Sequence, residues 1–303
     1  MIDLTVVILT YNEEIHLRRA IGSVSAIAAE IIVVDSYSTD NTVAIASELG
    51  ARVLQHKFIN QANQLKWALE SAGINTGWVL RLDADEYLTE ALVNELTERL
   101  SGIEKGITGI VFKRQLHFMG KWIRHGGYYP VHLLRMWRHG CAMVEQRRMD
   151  EHMVLLNGTS AVFKHDIVDD NQQSLSWWTA KHNDYATREA AEYLNMKYNF
   201  IQTGGDEKGG GLAKQTGVKR WYKNNLYYRM PLFFRAFLYF HFRFWIRMGF
   251  LDGRKGLIWH FLQGFWYRFL VDAKILQIEW WAKRDNKPVQ QILKEKFNFN
   301  TEG

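Results

Sequence analysis

The most chemically suggestive stretch of the sequence is WVLRLDADEYL, residues 78–88, in which a run of β-compatible residues is followed directly by DADE, with three acids in four positions. Carboxylates this close together repel one another unless a cation neutralises them. Alternate residues of a strand share a face, so Asp83 and Asp85 are expected to point the same way. A D-x-D pair of hard oxygen ligands suits Mg²⁺ or Mn²⁺ bound together with a diphosphate. The alternative is a solvated turn whose acids cap a helix beginning near Thr89.

The elements that must position this pair alternate between strands and helices over the first hundred residues. The predicted strands are LTVVILT, EIIVVD, ARVLQH and WVLRLD, and the helices NEEIHLRRAIGSV, STDNTVAIASELG and QANQLKWALESA follow the first three. This alternation predicts a parallel sheet with right-handed crossovers. Ligands of such sheets bind beyond the carboxyl ends of the strands, and the clusters TYNEE, DSYSTD and DADE stand at three of those ends. Asn12 is predicted to cap the first helix.

Asp35, at the end of the second predicted strand, is a second candidate for ligand contact. An acid there can accept hydrogen bonds from a base or a ribose, as in dinucleotide sites. Helix capping is the alternative, which we favour for Asp40. No G-x-G-x-x-G follows the first strand and no P-loop pattern is found, which disfavours a nicotinamide, flavin or P-loop site.

Composition narrows the class of protein without choosing a ligand. The 303 residues allow one large domain or two small ones, and the net charge of +6 suits a nucleic acid, a phosphorylated ligand or an anionic membrane. The single cysteine, Cys141, excludes an internal disulfide framework, so a reducing compartment is expected. The N-terminus lacks a basic region before its apolar run and is interpreted as a strand rather than a signal peptide.

The second half of the sequence changes in character. The runs GITGIVFKRQLHF and HLLRMWRH predict strands, and SWWTAKHNDYATREAAEYL predicts a helix. We expect a catalytic domain over 1–203, a glycine-rich flexible linker over 204–220 and an aromatic helical region over 221–303.

The aromatic region is long enough to span a bilayer at PLFFRAFLYFHFRFWIRMGFL, but arginines interrupt it. Each arginine, such as Arg243 or Arg247, would cost about 2.5–3.5 kcal/mol at the bilayer centre. We therefore predict two helices, about 231–249 and 256–282, that lie in the headgroup region without crossing. A helical hairpin packed on protein, or an oligomer interface, is the alternative.

The motifs VVILTYNEE, IIVVDSYSTDNT and VLRLDADEYL, in this order and spacing, resemble glycosyltransferase family 2, the inverting enzymes that use nucleotide-activated sugars. RRMDEHMVL, KHNDYATREA and MGFLDGRKGLIWHFLQGFWYRFLVDAK are similar to the branch that contains lipopolysaccharide-core glucosyltransferases. The resemblance implies an α/β fold: a GT-A, Rossmann-like nucleotide-sugar-binding domain with a C-terminal aromatic, membrane-associating helical segment.

The resemblance also implies roles for residues near the strand ends. Thr10, Tyr11 and Glu13 match the motif that lines the nucleotide pocket, and Asp35 matches the acid that contacts the base. Asp83 and Asp85 match the metal-binding pair, with Asp85 as the direct ligand of Mg²⁺ or Mn²⁺ and Asp83 nearer the ribose.

The catalytic base implied by the resemblance lies in the motif MDEH. Glu151 matches the acid of the branch's characteristic pair, and Asp150 replaces its usual histidine or asparagine, so the choice between the two acids stays open. Inversion needs a carboxylate that takes the proton of the acceptor hydroxyl. A surface salt bridge with Arg147 or Arg148 is the alternative role for Glu151.

The function predicted from these residues is metal-dependent transfer of a sugar from a nucleotide-sugar donor, expected to be a UDP-sugar, to a lipid-attached saccharide. The expected location is the cytoplasmic face of the bacterial inner membrane, held by an anionic membrane surface, and nucleic acid is not an expected partner. Two alternatives stay open: direct transfer to polyprenyl phosphate, and a non-catalytic, membrane-bound protein that binds nucleotide sugars.

Overall fold

The computed structural model describes residues 1–144, 153–200 and 227–298. Its contacts divide the chain into two units. Among the described residues, the first unit contains 1–124, 128–144 and 153–172, and the second contains 125–127, 173–200 and 227–298. The predicted linker at 204–220 lies outside the described residues.

The first unit begins with four parallel strands in the order β3-β2-β1-β4. They are β1 (Leu4–Thr10), β2 (Glu30–Asp35), β3 (Arg52–Gln55) and β4 (Trp78–Asp83), connected by α1 (Glu14–Val24), α2 (Thr42–Glu48) and α3 (Gln61–Ser71). The predicted alternation of strands and helices is confirmed.

The sheet continues beyond β4 through strands of both directions, in the order β4-β8-β6-β11-β5. The new elements are β5 (Glu86–Leu88), α4 (Glu90–Arg99), β6 (Ile107–Phe118), β7 (Lys121–Trp122), β8 (Val131–Arg138) and β11 (Thr159–Asp170), with β9 (Ala142–Val144) and β10 (Met153–Leu155) forming a separate pair. Strand β8 runs antiparallel to both β4 and β6, so it joins the parallel half of the sheet to the rest.

The central strand β1 shows why the sheet is covered on both faces. Val6 and Ile8 pack in one core with Leu17 of α1, whereas Val7 packs in another with Leu65 of α3. All five side chains are fully buried. A strand buried on both faces has a continuous apolar sequence rather than an alternating one, and each such side chain stabilises the fold by about 1.5–3 kcal/mol.

The second unit is helical. Its elements are α5 (Leu175–Tyr198), α6 (Phe234–His241) with a π-helical continuation (Phe242–Ile246), α7 (Gly253–Trp259), a π-helical stretch (His260–Trp266), α8 (Tyr267–Asp285) and α9 (Val289–Phe297). Its core packs small residues of α5, such as Ala186 and Ala190, against Val271 and Ile275 of α8. No helix among the described residues combines the length and the apolar composition needed to cross a bilayer.

The predicted helix cap at Asn12 is wrong. Helix α1 begins at Glu14, and Asn12 instead adopts a left-handed backbone with φ of 55° and bonds to the loop after β2. Asp40 takes over the capping role, because its carboxylate accepts the backbone N–H of Thr42 at 3.0 Å and that of Glu14 at 3.2 Å, the first residues of two helices.

Candidate active site

Three of the predicted site residues meet at one edge of the sheet. Thr10 ends β1, Asp35 ends β2 and Asp83 ends β4, and these three strands are neighbours. Thr10 pairs in register with Asp35, and Leu9 pairs with Asp83. The parallel register therefore brings the polar clusters that follow the three strands to the same end of the sheet, where α/β sheets bind ligands.

Asp35 organises the loop that follows β2. It is fully buried, and its carboxylate accepts the hydroxyl of Thr10 at 3.2 Å and both the N–H and the hydroxyl of Ser38, at 2.9 and 2.5 Å. Gln55 adds a longer bond of 3.3 Å. Contact with a nucleobase, which stays a prediction, would require Asp35 to exchange one of these bonds.

The loops after β1 and β2 are joined to each other. The N–H of Asn12 donates to Ser38 Oγ at 2.8 Å, and the N–H of Thr39 donates to Asn12 Oδ1 at 2.8 Å. Beside this connection the Tyr11 side chain is 59% exposed. An exposed aromatic ring at a strand end is available for stacking on a ligand.

Glu13 supports the same region from within the protein. Its carboxylate lies 2.6 Å from Nδ1 of the buried His16, whose Nε2 accepts the N–H of Gln172 at 2.8 Å. The backbone N–H of Glu13 donates to Thr42 at 2.8 Å. These bonds tie the start of α1 to the end of β11 and to α2, so Glu13 has a structural task alongside its predicted place in the nucleotide pocket.

Asp83 is held by two arginines. Arg81 donates Nε and Nη2 to Asp83 Oδ1 at 3.2 and 3.1 Å, and Arg135 donates Nη2 to Oδ2 at 2.8 Å. Burial alone would raise the pKa of Asp83, but the charges of Arg135 and Arg81 outweigh it and hold that pKa well below its ordinary value. Both oxygens of this carboxylate are therefore engaged by cations of the protein.

Glu86 shapes the turn that carries the acidic pair. It is 1% exposed, accepts the backbone N–H of Asp83 at 3.1 Å and accepts Arg135 at 2.5 Å. Burial raises the pKa of Glu86 to about 7 although Arg135 opposes the shift. Since Arg135 bonds both acids, it fixes the two ends of the turn against each other.

Asp85 has a different environment from Asp83. Its side chain is half-buried, and Oδ2 accepts Asn171 Nδ2 at 2.9 Å. Arg19 reaches the backbone carbonyl of Asp85 at 3.3 Å, and among the described residues no cation forms a salt bridge with its carboxylate. The carboxylate of Asp85 can therefore still bind a cation, whereas both carboxylate oxygens of Asp83 already accept hydrogen bonds from arginines.

The donor set fits a divalent cation of the Mg²⁺ type. Asp85 offers a hard carboxylate oxygen, and Mg²⁺ commonly binds one or two carboxylates while phosphates and water complete its shell. Within the described ranges no three acids, histidines or cysteines stand together as a preformed metal site.

A further acid lies beside this pair. Asp169 lies in β11 opposite Glu86 of β5, its partner in the register of these two strands. Its carboxylate forms a salt bridge with Arg114 at 3.1 Å. Burial raises the pKa of Asp169 to about 6; Arg114 opposes this shift, and the charges of Asp85 and Asp83 add to it. The acids and arginines of this edge form one electrostatic network.

Arg81, Arg135 and Glu86 were not among the residues predicted from the sequence. One signal was present: Arg81 interrupts the apolar run WVLRLD two residues before Asp83, which places both side chains on one strand face. The remaining predicted residues, Asp150 and Glu151, lie outside the described part of the chain.

Comparisons with known proteins agree with these features. Residues 5–171 match the family model described as glycosyl transferase family 2. An uncharacterized glycosyltransferase of Rickettsia felis is 47% identical over 89 residues, which cover 29% of this chain and 31% of that protein, so the chain spans about a third of such relatives. The lipopolysaccharide core biosynthesis glycosyltransferase LpsC of Rhizobium meliloti is 27% identical over 296 residues, covering 91% of this chain and 93% of that protein.

Among solved structures, glucosyl-3-phosphoglycerate synthase from Mycobacterium tuberculosis in complex with Mn²⁺, UDP and glucosyl-3-phosphoglycerate is 27% identical, with a TM-score of 0.32. The match covers 38% of this chain and 44% of that one. A likeness at this TM-score supports no functional inference.

Proposed function

Because the chain belongs to glycosyl transferase family 2 and is therefore a glycosyltransferase, we propose that it catalyses metal-dependent, inverting transfer of a sugar from a UDP-sugar to a lipid-attached saccharide. The proposed acceptor class is supported by the similarity to a lipopolysaccharide core biosynthesis glycosyltransferase over most of the chain. The α/β fold is of the GT-A type, and its donor pocket is proposed at the ends of β1, β2 and β4.

The observation that carries this proposal is the contrast between Asp83 and Asp85. These two acids lie close together in sequence but differ in their partners. Asp83 forms salt bridges with Arg81 and Arg135, whereas Asp85 has no cation partner among the described residues. A half-buried carboxylate without a counter-charge is costly unless a cation arrives with the ligand. Asp85 is therefore the proposed direct metal ligand, and Asp83 is proposed to orient the turn and face the ribose.

The bound metal would stabilise negative charge on the departing diphosphate. The protein contributes a rigid turn, since the carboxylate of Glu86 and the guanidinium of Arg135 fix the backbone and side chain of Asp83. On the acceptor side, Glu151 is the proposed base that removes the hydroxyl proton, with Asp150 as the neighbouring candidate. Their support is the resemblance of MDEH to the family motif.

The second unit is proposed to hold the enzyme to an anionic lipid surface. Large apolar side chains are exposed along α6, at spacings of three and four that share one α-helical face, and along its π-helical continuation. This aromatic face consists of Phe234, Phe237, Leu238, Phe242, Trp245 and Ile246. Soluble proteins rarely expose continuous apolar faces, and interfacial helices present them to lipid.

The charges of the same segment favour an anionic partner. Between Met230 and Val271 the sequence contains one acid, Asp252, and that acid is buried, bonded to His125 at 2.7 Å and His260 at 3.1 Å. The cations Arg247 and Arg254 are exposed. Cationic side chains near a membrane surface are attracted by about 1 kcal/mol each. The proposed location is the cytoplasmic face of the inner membrane, as the resemblance of the sequence motifs to the lipopolysaccharide-core branch implies.

The proposed function is tested by a panel of UDP-, GDP- and ADP-sugars, each scored for thermal stabilisation of the full chain with Mn²⁺ and with EDTA. A bound donor raises apparent stability by mass action. We expect stabilisation by a UDP-sugar only when Mn²⁺ is present. Stabilisation without nucleotide release when acceptors are added would favour a non-catalytic binding protein. Nucleotide release that is stimulated by polyprenyl phosphate would indicate that this lipid, rather than a saccharide, is the acceptor.

A further inference from the structure

Tyr37 occupies an unusual position at the end of β2. Its backbone φ is 60°, in the left-handed region that bulky residues rarely adopt. The side chain is 55% exposed. Among the described residues, the Tyr37 ring has no hydrogen-bond, ring-stacking or cation–π partner.

The surrounding bonds hold this strained residue in place. Ser36 donates its N–H to Thr10 O at 2.9 Å, and Ser38 donates its N–H to Asp35 at 2.9 Å. The residues before and after Tyr37 are thus both anchored to strand ends. A sparsely populated backbone conformation persists only when its surroundings determine it, and such positions concentrate at ligand sites.

The position of Tyr37 along the sheet selects the part of the ligand that it would meet. Strands β2 and β4 lie on opposite sides of β1, so Tyr37 and Asp85 follow strands about 10 Å apart. If Asp85 holds the diphosphate end of the donor through a metal, the far end of the nucleotide, its base, falls toward β2. Tyr11, the exposed tyrosine after β1, stands between them in strand order.

We propose that Tyr37 is a donor-binding residue that stacks on the nucleobase, and that Asp35 positions it by anchoring Ser38. This inference rests on the proposed function, since it requires a nucleotide donor. In this proposal the left-handed backbone at Tyr37 presents an aromatic ring to the nucleobase, which a small turn residue at the same position would not do.

The experiment measures the dissociation constants of UDP and of inorganic pyrophosphate, each with Mn²⁺, for the full chain by calorimetry. Tyr37→Gly should weaken UDP binding roughly tenfold, the usual effect of losing one aromatic stack, and leave pyrophosphate binding unchanged. Tyr37→Phe, which keeps the ring, should bind UDP like the wild type. Since glycine tolerates positive φ, Tyr37→Gly should melt at or above the wild-type temperature.

Met119 provides a matched control. It too has a positive φ, 52°, and its side chain is 55% exposed. It follows β6, which is separated from β2 by β1, β4 and β8. Met119→Gly should relieve the same backbone strain and leave both dissociation constants unchanged.

Unchanged UDP affinity in Tyr37→Gly would overturn the proposal, as would an equal loss of UDP and pyrophosphate binding, which would locate the defect in the loop rather than in stacking. A wild-type protein that binds pyrophosphate but no UDP would also overturn it. Failure of the wild type to bind either ligand would remove the proposed function itself, so the two failures are distinguishable.

Discussion

Arg135 binds Asp83 across two adjacent antiparallel strands, with 2.8 Å between Nη2 and Oδ2. The same nitrogen lies 2.5 Å from Glu86 Oε1. Arg135 is 7% exposed, so the charges it joins are largely out of water. Breaking a buried pair from one side leaves an uncompensated charge and is far more costly than the net worth of the pair.

Arg135→Met should therefore destabilise the protein by about 3 kcal/mol, the lower end for a broken buried pair. Asp83 keeps only Arg81, whereas Glu86, whose pKa is already about 7, takes up a proton. Urea unfolding at pH 7 measures the loss. Arg18→Met is the control, since Arg18 forms an exposed pair with Glu48 and such pairs contribute about 0–1 kcal/mol. Equal stability losses in the two variants would show that the Arg135 network carries no buried charge.

The two acids of the pair should respond differently to neutralisation. Asp85→Asn removes a carboxylate without a protein cation, so Mn²⁺-dependent UDP binding should fall at least tenfold while the unfolding free energy changes little. Asp83→Asn should lower both, since Arg81 and Arg135 lose their shared partner. Calorimetric titration and urea unfolding of both variants give the comparison. Wild-type Mn²⁺ dependence in Asp85→Asn would exclude this residue as the ligand.

Glu151→Gln keeps the shape of the side chain and removes its proton acceptor. Turnover should fall by about 10²–10⁴-fold, the range for general base catalysis, while UDP binding with Mn²⁺ persists. Asp150→Asn is the matched control. A fully active Glu151→Gln beside an inactive Asp150→Asn would move the base by one residue, and full activity in both would remove the motif from the mechanism.

The parallel half of the sheet was predictable because its signal is local. LTVVILT, EIIVVD and WVLRLD became strands at the predicted places, and the helix of SWWTAKHNDYATREAAEYL became part of Leu175–Tyr198. Strand direction in the second half was not predictable, since antiparallel β8 lies between β4 and β6 through contacts distant in sequence. The Arg135–Asp83 bond spans 52 positions for this reason, and no local pattern encodes it.

The same distinction applies to the loops. Asn12 has the residue type of a helix cap, but it bonds to Ser38 and Thr39 instead, because the register of β1 and β2 brings their ends together. Likewise the left-handed backbone of Tyr37 follows from anchors on two different strands. Helix-capping and turn propensities reflect only neighbours along the chain, whereas the conformations of Asn12 and Tyr37 are determined by residues on the adjacent strand.

The membrane proposal predicts how binding responds to salt and charge. Apolar burial is not screened by salt, whereas attraction of arginines to anionic headgroups is, so high salt should release the protein partly and detergent completely. Arg247→Glu with Arg254→Glu should weaken flotation with anionic vesicles. Lys66→Glu with Lys105→Glu, exposed positions of the first unit, makes the same charge change as a control. A wild type that never floats would show that the aromatic face packs on protein.

The second unit should lose stability in acid through His182. This ring stacks on Trp178 with centroids 3.5 Å apart, and burial lowers the pKa of His182 to about 4. The folded state therefore excludes a proton that the unfolded chain binds below pH 6.5, so stability is full above that pH and declines toward pH 4. The loss should be about 1–2 kcal/mol after solvent screening. Urea unfolding at pH 7 and at pH 4.5 measures this loss of unfolding free energy. The loss should be smaller in His182→Phe and unchanged in His139→Phe, which replaces an exposed histidine.

The most direct test of the account is the release of UDP from a UDP-sugar by the full chain, supplied with truncated lipopolysaccharide as acceptor and Mn²⁺. We predict release that requires the acceptor, stops with EDTA and is lost in Asp85→Asn. Release that continues unchanged in EDTA and in Asp85→Asn would contradict the proposed role of this carboxylate and its metal.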